Sequence, residues 1–230
     1  MVLAQLAREV YKDSPEIFTS ELDAQFCSIT HEDTVYVVFR GTSSAKDVLT
    51  DLDVKRLKLS GGVIIHEGFF NQFKSLENEI TKRVLYAKRI VFTGHSLGGA
   101  LAYIAAYWYS EVCPCVECVT FGSPRVGNST FVKVFSSRVQ RSIRVVNKKD
   151  PVPMIPMMPV WKHVMNDTLF LDKDASLDNS KELDNSKELD IPWYKRPFKF
   201  LKTKITEHSC DKYVLKLLPA PNSNEVLHNT

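Results

Sequence analysis

The sequence predicts an α/β fold with a mixed, mostly parallel sheet flanked by helices. Three observations carry that expectation. Apolar runs that read as strands alternate along the chain with stretches of helical periodicity, the arrangement of a layered α/β domain. Phe69, Phe73, Leu76, Ile80 and Val84 form one apolar stripe at helical spacing. Finally, Arg89-Ile90-Val91-Phe92-Thr93 runs straight into Gly94-His95-Ser96-Leu97-Gly98-Gly99-Ala100, and a helical pattern follows.

The elements follow in order. Leu3, Leu6, Ala7 and Val10 recur at helical spacing and predict an amphipathic helix over 2–12. Two apolar runs, 24–30 and 34–39, flank His31-Glu32-Asp33 and read as a β-hairpin. The striped helix is expected from about Phe69 to Arg89. After the strand–turn–helix unit at 89–110 come a strand at 116–121 ending in Gly122-Ser123-Pro124, a helix over about 130–138 and a strand at 143–147. Beyond Asp150, Pro151, Pro153, Pro156 and Pro159 argue against helix and mark a stiff connection. Residues 160–171 suit one or two short strands. Leu-Asp-Asn-Ser-Lys-Glu then occurs twice in tandem, at 177–182 and 183–188. So polar a repeat buries little, and a solvated insertion at about 172–190 is expected within one domain spanning 1–230. A last helix is predicted over 211–218.

Composition narrows the class. The chain has 230 residues, 44% hydrophobic and 25% charged, enough for one domain with a large core. A net charge of +3 gives no argument for a nucleic-acid partner, and nothing sets an oligomeric state. The most apolar stretch, 97–109, is too short to cross a bilayer. Residues 1–11 carry Arg8-Glu9 inside their apolar pattern, unlike a secretory signal, although an exported form with its leader removed would look the same. Five cysteines, an odd number without framework spacing, agree with a reducing compartment. Cys113, Cys115 and Cys118 lack the partner pair of a zinc ribbon and read as thiols entering a strand.

The segment around Ser96 carries the chemistry. A Gly-x-Ser-x-Gly run between a strand and a helix is a nucleophile elbow, which lifts the serine hydroxyl clear of the sheet at a helix N-terminus. A serine hydroxyl is a weak nucleophile, so Ser96 needs a base and the base an orienting carboxylate. Asp150 follows a strand and precedes Pro151-Val152-Pro153, at the strand end where open α/β sheets build their sites. For the base, His208 leads into the last helix from a loop and has room to reach both groups. His163 follows Asp150 closely and stays open as the alternative, and His228 ranks last near the terminus.

Five motifs then occur in series: Phe39-Arg40-Gly41-Thr42, His66-Glu67-Gly68-Phe69, the Ser96 elbow, the run from Thr120 to Asn128, and Asp150-Pro151-Val152-Pro153. Together they resemble the class 3, fungal-type lipases over about residues 34–215. The resemblance implies an α/β-hydrolase fold and a triad of Ser96, Asp150 and His208, the histidine lying a few residues before Tyr213. It implies an oxyanion hole from Thr42 and the amide of Leu97, and a hydrolase cleaving acyl esters of glycerolipids through an acyl-enzyme. No cofactor or metal is expected, since the triad supplies base, nucleophile and electrostatics. A lid would fall at 43–52, with Val48, Leu49 and Leu52 on one face. Motifs of this form also persist in catalytically silent modules that bind lipid or a protein partner. The fungal relatives are usually exported and disulfide-bonded, and this chain shows neither sign, so an intracellular or virus-associated protein is expected.

His95 reads as a packed partner rather than a base, His66 as structural, Arg40 as a brace for the oxyanion loop and Ser123 as a turn residue. Met154, Met157 and Met158 suit either an acyl groove or core. The run from Trp193 to Lys204 is basic and aromatic. It suits peripheral contact with a membrane surface, or equally a surface loop whose aromatics fold inward.

Overall fold

The computed structural model describes residues 2–12, 17–41, 55–157, 159–164, 167–171, 177–178 and 208–217. Thr42, the expected lid with Val48, Leu49 and Leu52, the basic aromatic run, most of the tandem repeat, and Met158 lie outside the described residues.

The chain starts with helix α1 (Val2–Glu9) and strand β1 (Phe18–Thr19). The hairpin follows as β2 (Gln25–His31) and β3 (Thr34–Phe39), paired antiparallel with His31 opposite Thr34. Glu32 turns the chain in the left-handed region, at φ 53°. Two short strands, β4 (Arg56–Lys58) and β5 (Ile64–His66), form a separate antiparallel pair. The sequence pattern does not announce them, because three residues are too few to show alternation.

Helix α2 (Glu67–Val84) buries the predicted stripe of Phe69, Phe73, Leu76, Ile80 and Val84. It starts two residues earlier and stops five residues sooner than the periodicity suggests. His66 caps its start, with Nδ1 accepting from the Phe69 amide at 3.5 Å. Beyond Val84, Leu85 and Tyr86 are apolar but lie off the stripe and face solvent, Tyr86 at 92% exposure. Burial and not apolarity decides where this helix ends.

Strand β6 (Arg89–His95), helix α3 (Leu97–Tyr109), strand β7 (Val116–Phe121), helix α4 (Ser129–Arg138) and strand β8 (Arg141–Asn147) complete the alternation. Helix α3 is apolar on all sides, and 12 of its 13 residues are buried. Such a helix belongs inside a protein; here it lies between the sheet and α2. Its glycines and alanines allow the close approach. The Asn128 side chain caps α4, accepting from the Phe131 amide at 2.9 Å.

Past Asp150 the prolines still permit one 3₁₀ turn, Val152–Met154, since a three-residue turn asks for few backbone donors. Residues 167–171 form β9 (Asp167–Leu171), and Leu177–Asp178 forms β10. The first two residues of the repeat pair with β9, Leu177 opposite Leu171. Helix α5 (Cys210–Leu217) is the last described element.

Among the described residues the main sheet runs β1-β2-β3-β6-β7-β8-β9-β10. The pairs from β3 to β9 are parallel and the outer pairs antiparallel. One face packs on α2, α3 and α4 through Phe26, Phe73, Leu101, Phe131 and Phe135. The other packs on α1 and α5 through Ala4, Ala7, Phe121, Val145 and Val214. Each large side chain so buried contributes about 1.5–3 kcal/mol. The parallel strands β3, β6, β7 and β8 all end on one side, so the residues that follow them, Gly41, Ser96, Gly122 and Asp150, gather at one edge.

Candidate active site

Strand β6 delivers Ser96 into a turn with φ 59° and ψ −127°, a conformation that L-residues rarely adopt. The turn is tight enough that a Cβ on Gly94 would collide with the backbone of Gly98. The first ladder bonds of α3 are donated by Gly99 and Ala100, to the Ser96 carbonyl at 2.9 and 3.3 Å. The Leu97 amide lies ahead of that ladder, at the positive end of the helix.

Strand β8 delivers Asp150. Its carboxylate is buried and surrounded by donors. His208 Nδ1 lies 2.7 Å from Oδ2, the Tyr213 hydroxyl donates to the same oxygen at 2.6 Å, and the Val152 amide donates to Oδ1 at 2.9 Å. Three donors hold the group fixed. Burial first, and then the Asp150 charge and hydrogen bond, push the Tyr213 hydroxyl well above its ordinary pKa, so it remains a donor. Tyr213 Oη also accepts from the Asn147 amide at 3.1 Å, which joins α5 to the end of β8. Gly122 closes the cluster at φ 58°; a Cβ there would lie 2.8 Å from Asp150 Oδ2 and 2.9 Å from Tyr213 Oη.

The structure thus joins Asp150 to His208 and not to His163. His163 Nε2 instead meets the Pro153 carbonyl at 2.5 Å, and burial, then the charges of Arg144 and Arg125, lower its pKa well below the ordinary value. It stays neutral and braces the Asp150 loop. The His208 ring stacks on His95, 4.5 Å between centroids, and so lies against the residue before Ser96. Ser96 Oγ and His208 Nε2 are both buried and have no hydrogen-bond partner among the described residues. Unliganded sites often hold such pairs apart and tighten them only around substrate.

The expected supporting residues fall as follows. His95 is packed between His208, Tyr213 and Tyr11. His66 stacks on Phe69 at 4.1 Å, and Ser123 Oγ donates to the Pro124 carbonyl in the turn after β7. Arg40 Nη1 donates to Gln25 Oε1 at 2.8 Å. Cys113 and Cys115 donate to different acceptors, the Lys88 and Cys115 carbonyls for one and Gln140 for the other, while Cys118 is buried in β7. Sequence reasoning assigned no role to Tyr213 beyond its spacing from His208, and none to Tyr11.

A buried Asp–His pair beside a serine on a strained strand–helix turn suits several hydrolase lineages. The wider pattern decides among them, for the family model of Lipase (class 3) matches residues 36–160, more than half of the chain. The chain belongs to the class 3 lipase family. It is 34% identical over 139 residues to a lipase of Rhizopus niveus, covering 54% of this chain and 35% of that protein. It is 33% identical over 157 residues to phospholipase A1-II 1 of Oryza sativa subsp. indica, covering 54% and 40%. The chain therefore spans well under half the length of these two relatives. A solved triacylglycerol lipase with a serine-protease triad as its catalytic centre superposes with a TM-score of 0.66 at 26% identity, over 84% of this chain and 77% of that one. This class 3 family member has the α/β-hydrolase fold of those lipases.

Proposed function

We propose that the chain is a serine carboxylester hydrolase that cleaves acyl esters of glycerolipids. The observation that carries the reading is the buried 2.7 Å contact of His208 Nδ1 with Asp150 Oδ2, held beside the Ser96 elbow by the His95–His208 stack. In the reaction Ser96 Oγ attacks the ester carbonyl while His208 Nε2 takes its proton. The tetrahedral oxyanion accepts from the Leu97 amide and from Thr42. Collapse forms the acyl-enzyme and expels the alcohol with the proton from His208, and water then repeats the cycle. Each oxyanion donor contributes on the order of 10²–10³ in rate. A lid over the site is proposed at 43–52, with Val48, Leu49 and Leu52 on its apolar face. Fluorophosphonate labelling, located by peptide mapping, tests the reading, with a p-nitrophenyl ester series from short to long chains to set the preference. Labelling at Ser96 with turnover of at least one ester is expected. A folded protein with an accessible Ser96 that neither labels nor turns over would instead be a silent lipid- or protein-binding module.

The substrate class also favours a surface-bound enzyme, and we propose that residues 193–204 supply the contact. Lysines beside anionic headgroups contribute about 1 kcal/mol each, and Trp193, Tyr194, Phe198 and Phe200 suit the interface. Co-sedimentation with vesicles is expected to rise with anionic lipid and to fall when residues 193–204 are removed. Binding indifferent to both changes would leave these residues as a surface loop.

A further inference from the structure

Tyr11, just past α1, supplies none of the groups that acyl transfer needs, yet its hydroxyl lies between two of the elements that do. Oη is 3.1 Å from His95 Nδ1. It also lies so close to Gly41, the residue before Thr42, that a Cβ at position 41 would collide with it. The Arg40 guanidinium sits 5.6 Å from the Tyr11 ring centroid. His95 in turn carries the His208 ring at 4.5 Å and 31°. A side chain from the N-terminal helix thus touches the strand end leading to the oxyanion loop and the residue before the nucleophile, and through His95 it reaches the base.

These contacts suit one arrangement of protons, in which the Tyr11 hydroxyl gives its O–H to the acceptor beside it, His95 Nδ1. A neutral imidazole that accepts at Nδ1 carries its proton on Nε2. Burial keeps His95 neutral, with the neighbouring His208 adding to the effect, and the His208 backbone carbonyl opposes them. Among the described residues His95 Nε2 makes no hydrogen bond of regular geometry, so its hold on His208 is the ring contact and a loose polar approach to that carbonyl. A neutral ring under His208 also suits the imidazolium formed when Ser96 gives up its proton, because a second cation there would repel it.

We propose that Tyr11 is a positioning residue, whose hydroxyl locks His95 as the Nε2–H tautomer and pins it to Gly41, making a fixed platform for the His208 imidazole. The proposal rests on the reading of Ser96 and His208 as nucleophile and base.

Tyr11→Phe removes the hydroxyl and keeps the ring. The rate of Ser96 modification by a fluorophosphonate, and kcat on a short p-nitrophenyl ester, are expected to fall about threefold to tenfold, the factor for one neutral hydrogen bond, with KM unchanged. The ¹⁵N spectrum of His95 gives a second readout that a merely structural role would not move. In the unsubstituted protein Nδ1 is expected bare and Nε2 protonated; in Tyr11→Phe the two forms mix. An unchanged labelling rate and tautomer in the variant, with normal labelling of the unsubstituted protein, would overturn the proposal and leave the hydrolase reading intact. Should Tyr11→Phe fail to fold, the unsubstituted spectrum still decides, since a proton on His95 Nδ1 contradicts the arrangement. That spectrum decides equally in a protein that does not label at all, where the hydrolase reading would fall separately.

Discussion

Replacing Ser96 by alanine is expected to end fluorophosphonate labelling and to lower ester turnover by about 10⁴–10⁶, the range seen when a triad nucleophile is removed. The residual rate would come from the oxyanion donors and from substrate positioning, which the substitution leaves in place. Ser96→Gly should be equally inactive and also more stable. The serine holds φ 59° and ψ −127°, a region that costs an L-residue about 1–3 kcal/mol and glycine far less. Ser96→Gly is therefore expected to gain about 1 kcal/mol in urea unfolding, while Ser96→Ala, which keeps the Cβ, stays near the unsubstituted value. The pairing of lost turnover with gained stability identifies backbone strain held for function. Turnover surviving in Ser96→Ala would remove the nucleophile from the proposal, and a glycine variant no more stable than the alanine one would remove the strain.

The elbow itself was legible in the sequence, because Gly-x-Ser-x-Gly between a strand and a helix has few other geometries open to it. The stripe on α2 was legible for a similar reason: one side of a helix must be apolar to bury, and Phe69 through Val84 recur at that spacing. What the sequence could not show depends on groups distant along the chain. His163 and His208 are both histidines downstream of Asp150, and spacing alone does not say that one meets the Pro153 carbonyl and the other the Asp150 carboxylate. Tyr213 and Tyr11 carry no local signal for their partners, 63 and 84 residues away. Their roles come from α1 and α5 packing together on one face of the sheet, a tertiary fact. The start of α2 was missed because histidine is not a usual N-cap. Its end was missed because Leu85 and Tyr86 are apolar yet exposed.

Asp150→Asn is expected to reduce kcat/KM by about 10⁴, the effect of an orienting carboxylate replaced by its amide, and the reason can be traced atom by atom. Asp150 Oδ2 accepts from both His208 and Tyr213, and Oδ1 accepts from the Val152 amide. Asparagine offers one acceptor oxygen and one NH₂ in the same space. With its oxygen toward His208 and Tyr213, the NH₂ confronts the Val152 N–H, donor against donor. With its oxygen toward Val152, the NH₂ confronts the Tyr213 hydroxyl and His208 Nδ1. The histidine can answer only by moving its proton to Nε2, where it can no longer take one from Ser96. Either orientation strands a buried donor, so stability is also expected to fall, by about 1–3 kcal/mol. Ester kinetics and urea unfolding on the same preparation check both effects. A loss of kcat/KM smaller than about tenfold, with stability reduced as expected, would mean that Asp150 braces the loop without orienting His208. The base would then have to be held by the His95 stack alone.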